Sequence, residues 1–184
     1  MIAAAAKIPA QDRSLERTAL LRDGTVLTIR SIAPADAPRE RAFLSSLPAE
    51  TRGHRFLGLI KDPSESVVRE LTAIDPATGV SLVGIVREGD RDQEVGAAVF
   101  SVGTRGSHCD CAVAVAPGWQ QRGVGSALMM HLIDAARARG IKRMYAVDAA
   151  RCRGAHSLAE RLGFRPRPDP EDPVVTTFEL TLSG

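Results

Sequence analysis

The stretch that most constrains this fold runs from Val113 to Ser126, where a strand-like segment passes through a short turn into a helix-like segment. Two glycines, Gly123 and Gly125, stand one residue apart where the helical pattern begins. Glycines at such a start let the backbone approach a ligand closely, and the first N–H groups of the helix have no intrahelical partner. Together with the helix dipole, these donors predict a site for an anion such as a pyrophosphate.

Two better-known phosphate motifs do not fit this turn. A P-loop requires a Gly-Lys-Ser/Thr sequence that does not follow here, and the dinucleotide fingerprint requires a third glycine. A single Gly-x-Gly is a weak signal by itself, because most such pairs serve only as structural turns. Gln120, the strand before it and the amphipathic helix after it favour the ligand-binding interpretation.

Hydrophobic periodicity predicts the element order β-α-α-β-β-β-α-β-α-β. Strands are predicted over residues 26–32, 80–86, 94–102, 109–115, 143–147 and 176–182. Helices are predicted over residues 34–46, 65–74, 123–139 and 153–162. This mixture predicts one α/β or α+β domain over residues 21–184, with helices on both faces of its sheet. Residues 1–20 are expected to be a flexible N-terminal lead-in, and the proline-rich segment of about residues 166–176 a stiff loop before the last strand.

Composition favours a globular protein and excludes several functional classes. The 184 residues are 44% hydrophobic and 25% charged, with a formal net charge of +2. This balance argues against disorder and provides no basic stripe for nucleic acid. No apolar run is long enough for a membrane span, and the N-terminus lacks the pattern of a signal peptide. Three sparse cysteines favour a cytoplasmic, reducing compartment over a disulfide scaffold.

Two motifs carry a resemblance to a known superfamily. Gln120-x-x-Gly123-x-Gly125 resembles the acyl-coenzyme-A signature of the GNAT N-acetyltransferases, and residues 158–164 resemble their second marker. The resemblance implies the GNAT fold, with a mixed sheet of about six to seven strands, and acetyl-CoA as cosubstrate without a metal. It implies that the pyrophosphate lies on the turn and the pantetheine arm along the preceding strand, where that strand splays from its neighbour. The implied binding residues are Val113, Val115, Gln120, Gln121, Arg122, Gly123, Val124, Gly125 and Ser126.

Three further segments, residues 21–30, 47–58 and 110–115, resemble one branch of that superfamily. These are the bacterial protein lysine acetyltransferases that modify acyl-CoA synthetases. In that branch a glutamate on the central strand is the general base, and Asp110 matches its position. The shorter aspartate leaves either a water relay or a lost activity open. His108 is the second candidate base, because its ordinary pKa suits the task.

The segment from His108 to Cys111 is not expected to bind a metal. Strand alternation sends neighbouring side chains to opposite faces, and no second cluster completes a tetrahedral site. Asp110 shares its face with His108 and two alanines, whereas Cys109 and Cys111 are expected to be small core residues on the other face.

Two positions depart from the superfamily pattern. Cys152 stands where many members carry an asparagine that bonds the pantetheine arm, and Ala159 stands where many carry a general-acid tyrosine. These departures keep two alternatives open beside lysine acetylation, namely a small-molecule amine acetyltransferase and a CoA-binding sensor without catalysis. The expected partner is an acceptor protein with a target lysine, or a small amine, and neither nucleic acid nor membrane.

Overall fold

A single sheet of eight strands runs through the computed structural model, which describes residues 15–48, 64–103, 106–149, 153–168 and 175–182. Its strands are β1 (Arg17–Leu20), β2 (Val26–Ser31), β3 (Gly79–Glu88), β4 (Arg91–Val102), β5 (His108–Val115), β6 (Arg143–Ala149), β7 (Arg165–Pro168) and β8 (Val175–Thr181). They lie in the order β1-β2-β3-β4-β5-β6-β8-β7. Every neighbouring pair is antiparallel except β5 and β6, which are parallel. This mixed sheet confirms the predicted fold class.

The described residues contain four α-helices, each within three residues of its predicted bounds. They are α1 (Ala37–Ser46, after a 3-10 turn at Pro34–Asp36), α2 (Glu65–Thr72), α3 (Val124–Ala138) and α4 (Arg153–Arg161). Gly140 and Gly163 follow α3 and α4 with φ angles of 74° and 86°, the left-handed conformation that commonly ends helices. None of the described helices combines the length and the apolar character needed to cross a membrane.

Helix α3 packs closely on the centre of the sheet because β4 has a glycine at the contact. A Cβ atom at Gly96 would lie 2.9 Å from Leu128 and 3.0 Å from Val124, both of α3. Residues opposite in register share a face, so Val115, the register partner of Gly96, also faces α3. Alternation then places Cys109 and Cys111 on the α3 face, where both are buried as expected.

Two segments expected to be irregular form edge strands, so the sheet has eight strands rather than six or seven. Residues 17–20 of the expected lead-in pair with β2, and residues 165–168, which include the start of the expected loop, pair with β8. Each strand is only four residues long and largely exposed, so neither shows the hydrophobic alternation that predicts a strand. An edge strand tolerates Pro166 because one side of its backbone has no strand partner. The lead-in up to residue 14 lies outside the described residues.

A pair of buried carboxyl groups lies beneath α1, on the face of the sheet opposite α3. Glu94 of β4 and Glu40 of α1 are 4% and 1% exposed, and their carboxyl groups adjoin each other. Oε2 of Glu40 and both carboxyl oxygens of Glu94 have no other hydrogen-bond partner within the described residues. Burial, together with the adjacent Glu40 carboxyl, raises the pKa of Glu94 to about 11. Burial also raises the pKa of Glu40. The pair therefore holds a proton at neutral pH, and the protonated carboxyl donates to its partner.

The neighbouring Asp36 is charged and fixes the start of α1 to β2. Its carboxylate accepts two 2.7 Å hydrogen bonds from Arg30, one of 3.0 Å from Arg39 and one of 2.9 Å from the Ala33 N–H. Burial acts to raise the pKa of Asp36, but these donors outweigh it and hold that pKa below its ordinary value.

Glu94→Gln is expected to stabilise the fold increasingly as the pH rises. Glutamine has the shape of the protonated carboxyl, and its amide can still donate to Glu40. The wild-type folded state retains a proton that the unfolded glutamate releases above its ordinary pKa of about 4.3. Wild-type stability therefore falls by up to about 1.4 kcal/mol per pH unit, or roughly 3–6 °C in Tm, while the variant's does not.

The measurement is Tm from about pH 5 to about pH 8 for the wild type, Glu94→Gln and the control Glu88→Gln, whose glutamate is exposed on β3. We expect the control to follow the wild type. If the Tm of all three proteins changed with pH in the same way, the folded state would not retain a proton at Glu94.

Candidate functional site

The two halves of the sheet meet at the parallel pair of β5 and β6. Their register covers three residue pairs and ends at Asp110 and Tyr145. β5 continues to Val115 and β6 to Ala149 without a shared register. Strands that part in this way can pair with an extended ligand, as in β-strand addition. Both valines implied in donor binding, Val113 and Val115, lie on β5 beyond this point.

The turn after β5 has two left-handed residues directly before α3. Gly123 has a φ of 106°, and Gln121, a non-glycine residue, has a φ of 62°. The backbone N–H groups from Gln121 to Ser126 donate to no acceptor within the described residues. Adjacent free N–H groups at a helix N-terminus form an anion site, and here they span the predicted Gly123-x-Gly125 motif.

Side chains around this turn tie it to the rest of the fold. Gln120 donates from Nε2 to the carbonyl oxygen of Val115 at 3.3 Å. Arg122 forms a 3.1 Å ion pair with Asp23, which lies in the turn between β1 and β2. The guanidinium of Arg122 also lies 4.7 Å from the centre of the Trp119 ring, which is buried as a packing anchor. The turn is thus held from both sides.

Asp110 lies where β5 and β6 part, on the face of the sheet opposite α3. Its register partners are Ser101 of β4 and Tyr145 of β6. Its side chain is exposed, so an acceptor can reach this carboxylate from solvent. A carboxylate so placed has the chemistry and the access that a general base requires.

His108, the second candidate base, shares this face but is held by packing. A Cβ atom at Gly103 would overlap the His108 ring, so the imidazole lies directly against that glycine. The ring also meets Tyr145 edge-on, with centroids 6.1 Å apart. His108 is half-buried, and Asp110 is the more accessible of the two groups.

The thiols of Cys109 and Cys111 face away from Asp110. Burial, reinforced by the Asp110 charge, raises the pKa of Cys109 to about 12. Burial also raises the pKa of Cys111. Both are inert core groups at neutral pH. Across the described ranges, no group of three or more His, Cys, Asp or Glu side chains could hold a metal ion.

The two departures from the superfamily pattern lie on or near α4. Cys152 is outside the described residues. Ala159 packs partly buried against the hydrophobic core and has no proton to donate. Leu158, at the start of the second marker, lies 3.2 Å from where a Cβ atom of Gly125 would be. Gly125 therefore allows α4 to pack against the first turn of α3 as well as exposing its N–H.

A charged cluster that the sequence patterns did not indicate lies on the same face as Asp110. Glu179 of β8 is buried between the side chains of Arg143 of β6 and Arg167 of β7. The alternating patterns of residues 143–147 and 176–182 could have placed Arg143 and Glu179 on one face of the sheet. It could not have placed Arg167, because β7 was expected to be a loop.

Comparison with known proteins agrees with this geometry. Residues 48–164 match the Acetyltransferase (GNAT) family. The chain is 37% identical over 162 residues to Acetyltransferase PA5475 of Pseudomonas aeruginosa, a match that covers 88% of this chain and 87% of that protein.

Solved structures share the same architecture. The GNAT domain of S. lividans PAT superposes with a TM-score of 0.81 and 25% identity, covering 96% of this chain and 100% of that domain. RimL, a ribosomal L7/L12 alpha-N-protein acetyltransferase in complex with coenzyme A, superposes with a TM-score of 0.69. That match has 12% identity over 85% of this chain and 94% of RimL, and it shows the fold alone. From the family match and the likeness to PA5475, this chain belongs to the GNAT family of acetyltransferases.

Proposed function

We propose that this acetyltransferase moves the acetyl group of acetyl-CoA to the side-chain amine of a protein lysine, as on an acyl-CoA synthetase. The observation that carries the proposal is the exposed Asp110 carboxylate at the parting of β5 and β6. The resembled lysine acetyltransferases carry a glutamate at this position. We place the activity in the cytoplasm, the reducing compartment that the sparse cysteines favour.

The turn and β5 would hold the donor together. The N–H groups from Gln121 to Ser126 would receive the pyrophosphate, since they have no acceptor within the described residues. The pantetheine arm would lie along β5 beside Val113 and Val115, where the register with β6 has ended. Gln120 and Arg122 would fix the turn through their contacts with β5, Trp119 and the β1–β2 turn. Acetyl-CoA supplies its acetyl group as a thioester, whose carbonyl carbon is the electrophile.

Asp110 would act as the general base for the acceptor amine. A lysine amine has an ordinary pKa of about 10.4 and must lose a proton to attack. Asp110 would take that proton directly or through one water, because aspartate is one methylene shorter than glutamate. A carbon–nitrogen bond forms and the carbon–sulfur bond breaks. The leaving thiolate would take its proton from solvent, because Ala159 offers none.

The test uses radiolabelled acetyl-CoA, a cell extract and the purified protein, with Asp110→Asn alongside. We expect a labelled protein band that the variant does not produce. Label only in small molecules would instead indicate a small-amine acceptor. No label at all, with acetyl-CoA binding intact, would favour a non-catalytic CoA-binding sensor and contradict the proposal.

Substitution of Asp110 is expected to separate catalysis from binding. Asp110→Asn should lower kcat/KM by about 100-fold or more, the usual contribution of a general base, and leave the Kd for CoA within about twofold. Asp110→Glu should keep activity because it restores the residue of the resembled enzymes. Steady-state kinetics on a labelled acceptor and calorimetric CoA titration measure the two effects. Full activity in Asp110→Asn would remove Asp110 from the mechanism.

Ser126→Asp is expected to weaken CoA binding without weakening the fold. An aspartate in the first turn of α3 interacts favourably with the helix dipole, so Tm should stay equal or rise. The same charge would repel a pyrophosphate on these N–H groups, and Kd for CoA should rise about tenfold or more, equivalent to about 1.4 kcal/mol. Ser126→Asn, the uncharged match, should bind CoA nearly as the wild type does. Equal CoA affinity in both variants would place the pyrophosphate elsewhere.

A further inference from the structure

A row of polar residues crosses four strands on the face of the sheet that carries Asp110. Asp110 of β5 is the register partner of Tyr145 of β6, which is the partner of Glu179 of β8. Glu179 is in turn the partner of Arg165 of β7. Residues opposite in register share a face, so the whole row lies on the Asp110 side.

Glu179 holds two further arginines beside this row. Its Oε2 lies 2.6 Å from Nε of Arg167, and its Oε1 lies 3.7 Å from Nε of Arg143. Arg143 and Tyr145 stand two residues apart on β6 and therefore share a face of the sheet. The Glu179 side chain is 9% exposed, whereas those of Arg143 and Arg167 are 60% and 70% exposed. A buried carboxylate thus orients two guanidinium groups that remain open to solvent.

The cluster has an excess of positive charge and an open surface. Arg143 and Arg167 form ion pairs with the Glu179 carboxylate through their Nε atoms, and a third arginine, Arg165, is the register partner of Glu179. Among the described residues, helix α1 packs on α2 and on β4. A guanidinium with its Nε engaged can still present its Nη edge to an anion, and carboxylates are the groups it matches in geometry.

The spacing relates the cluster to the proposed site of transfer. Neighbouring strands lie about 4.8 Å apart, so Glu179, two strands from Asp110, lies about 10 Å away across the sheet. An extended acceptor chain advances about 3.3–3.6 Å per residue. A side chain two or three residues from a lysine at Asp110 would therefore reach the arginines.

We propose that Arg143, Arg165 and Arg167 bind an acidic segment of the acceptor protein. The anion is the carboxylate of an Asp or Glu two or three residues from the target lysine. The inference rests on the proposed lysine transfer at Asp110 and names the class of acceptor that transfer would use. Glu179 acts as a positioning residue, because it holds the arginines and does not touch the acceptor.

The test measures peptide binding by fluorescence anisotropy on the full chain loaded with CoA. Three labelled peptides share one central lysine and differ only in the flanking residues, which are aspartate, asparagine or arginine. The proteins are the wild type, Arg167→Gln, Arg167→Glu and the control Arg137→Gln, whose arginine is exposed on α3. Tm and CoA affinity verify that each variant is folded.

We expect the wild type and Arg137→Gln to bind the aspartate peptide about tenfold or more tightly than the asparagine peptide, with the preference falling at high salt. Arg167→Gln should lose most of this preference, and Arg167→Glu should shift it toward the arginine peptide. Equal affinity of the wild type for the aspartate and asparagine peptides, including no binding of either, would overturn the proposal. So would an unchanged preference in Arg167→Glu.

Acetylation of the same peptides separates this inference from the proposed function. If the aspartate peptide binds preferentially and its lysine is acetylated, both are supported. If it binds preferentially and no peptide is acetylated, the arginine cluster is supported and lysine transfer is contradicted. If the peptides are acetylated at equal kcat/KM without any binding preference, lysine transfer stands and the acidic acceptor does not.

Discussion

The candidate site depends on a parallel strand pair that is only three residues long. The pairing of β5 with β6 joins the antiparallel strands β1 to β5 to the unit of β6, β8 and β7. Because that register ends at Asp110 and Tyr145, the carboxyl end of β5 lies at a break in the sheet. Ligands of α/β sheets commonly bind at the carboxyl ends of strands where the topology changes. The break, the turn and Asp110 all lie at this one place.

Glycines allow α3 to reach this break. Gly96 lets α3 lie close against β4, and Gly125 lets α4 pack against the first turn of α3. Gly123 and Gln121 adopt left-handed backbone conformations that turn the chain into α3 with its first N–H groups facing outward. The small residues that allow α3 to pack closely and the left-handed residues that expose its N-terminus therefore act at the same end of the helix. The ion pair of Arg122 with Asp23 then ties the turn to the first hairpin.

Sequence patterns predicted the helices and the central strands because apolar residues recur there at helical or strand spacing. The turn was predictable because Gln120 and its two glycines form a local motif. The edge strands β1 and β7 were not predicted, because four largely exposed residues show no alternation. The Glu40–Glu94 pair was not predicted either, because it joins a helix to a strand. A β-bulge beside Glu94 also interrupts the alternation of β4, so Glu94 lies on the face of the sheet opposite to the one that alternation predicts. The arginine cluster depends on β8 lying between β6 and β7, an order that no local pattern encodes.

A crystal structure of the wild-type chain with coenzyme A would locate the donor relative to Asp110. We expect the pyrophosphate on the N–H groups from Gln121 to Ser126 and the pantetheine arm along β5. We expect the thiol sulfur between β5 and β6, just beyond the Asp110–Tyr145 pair and on a path open to the Asp110 carboxylate. A pyrophosphate away from this turn, or a sulfur on the α3 face with the sheet between it and Asp110, would contradict this placement of the donor.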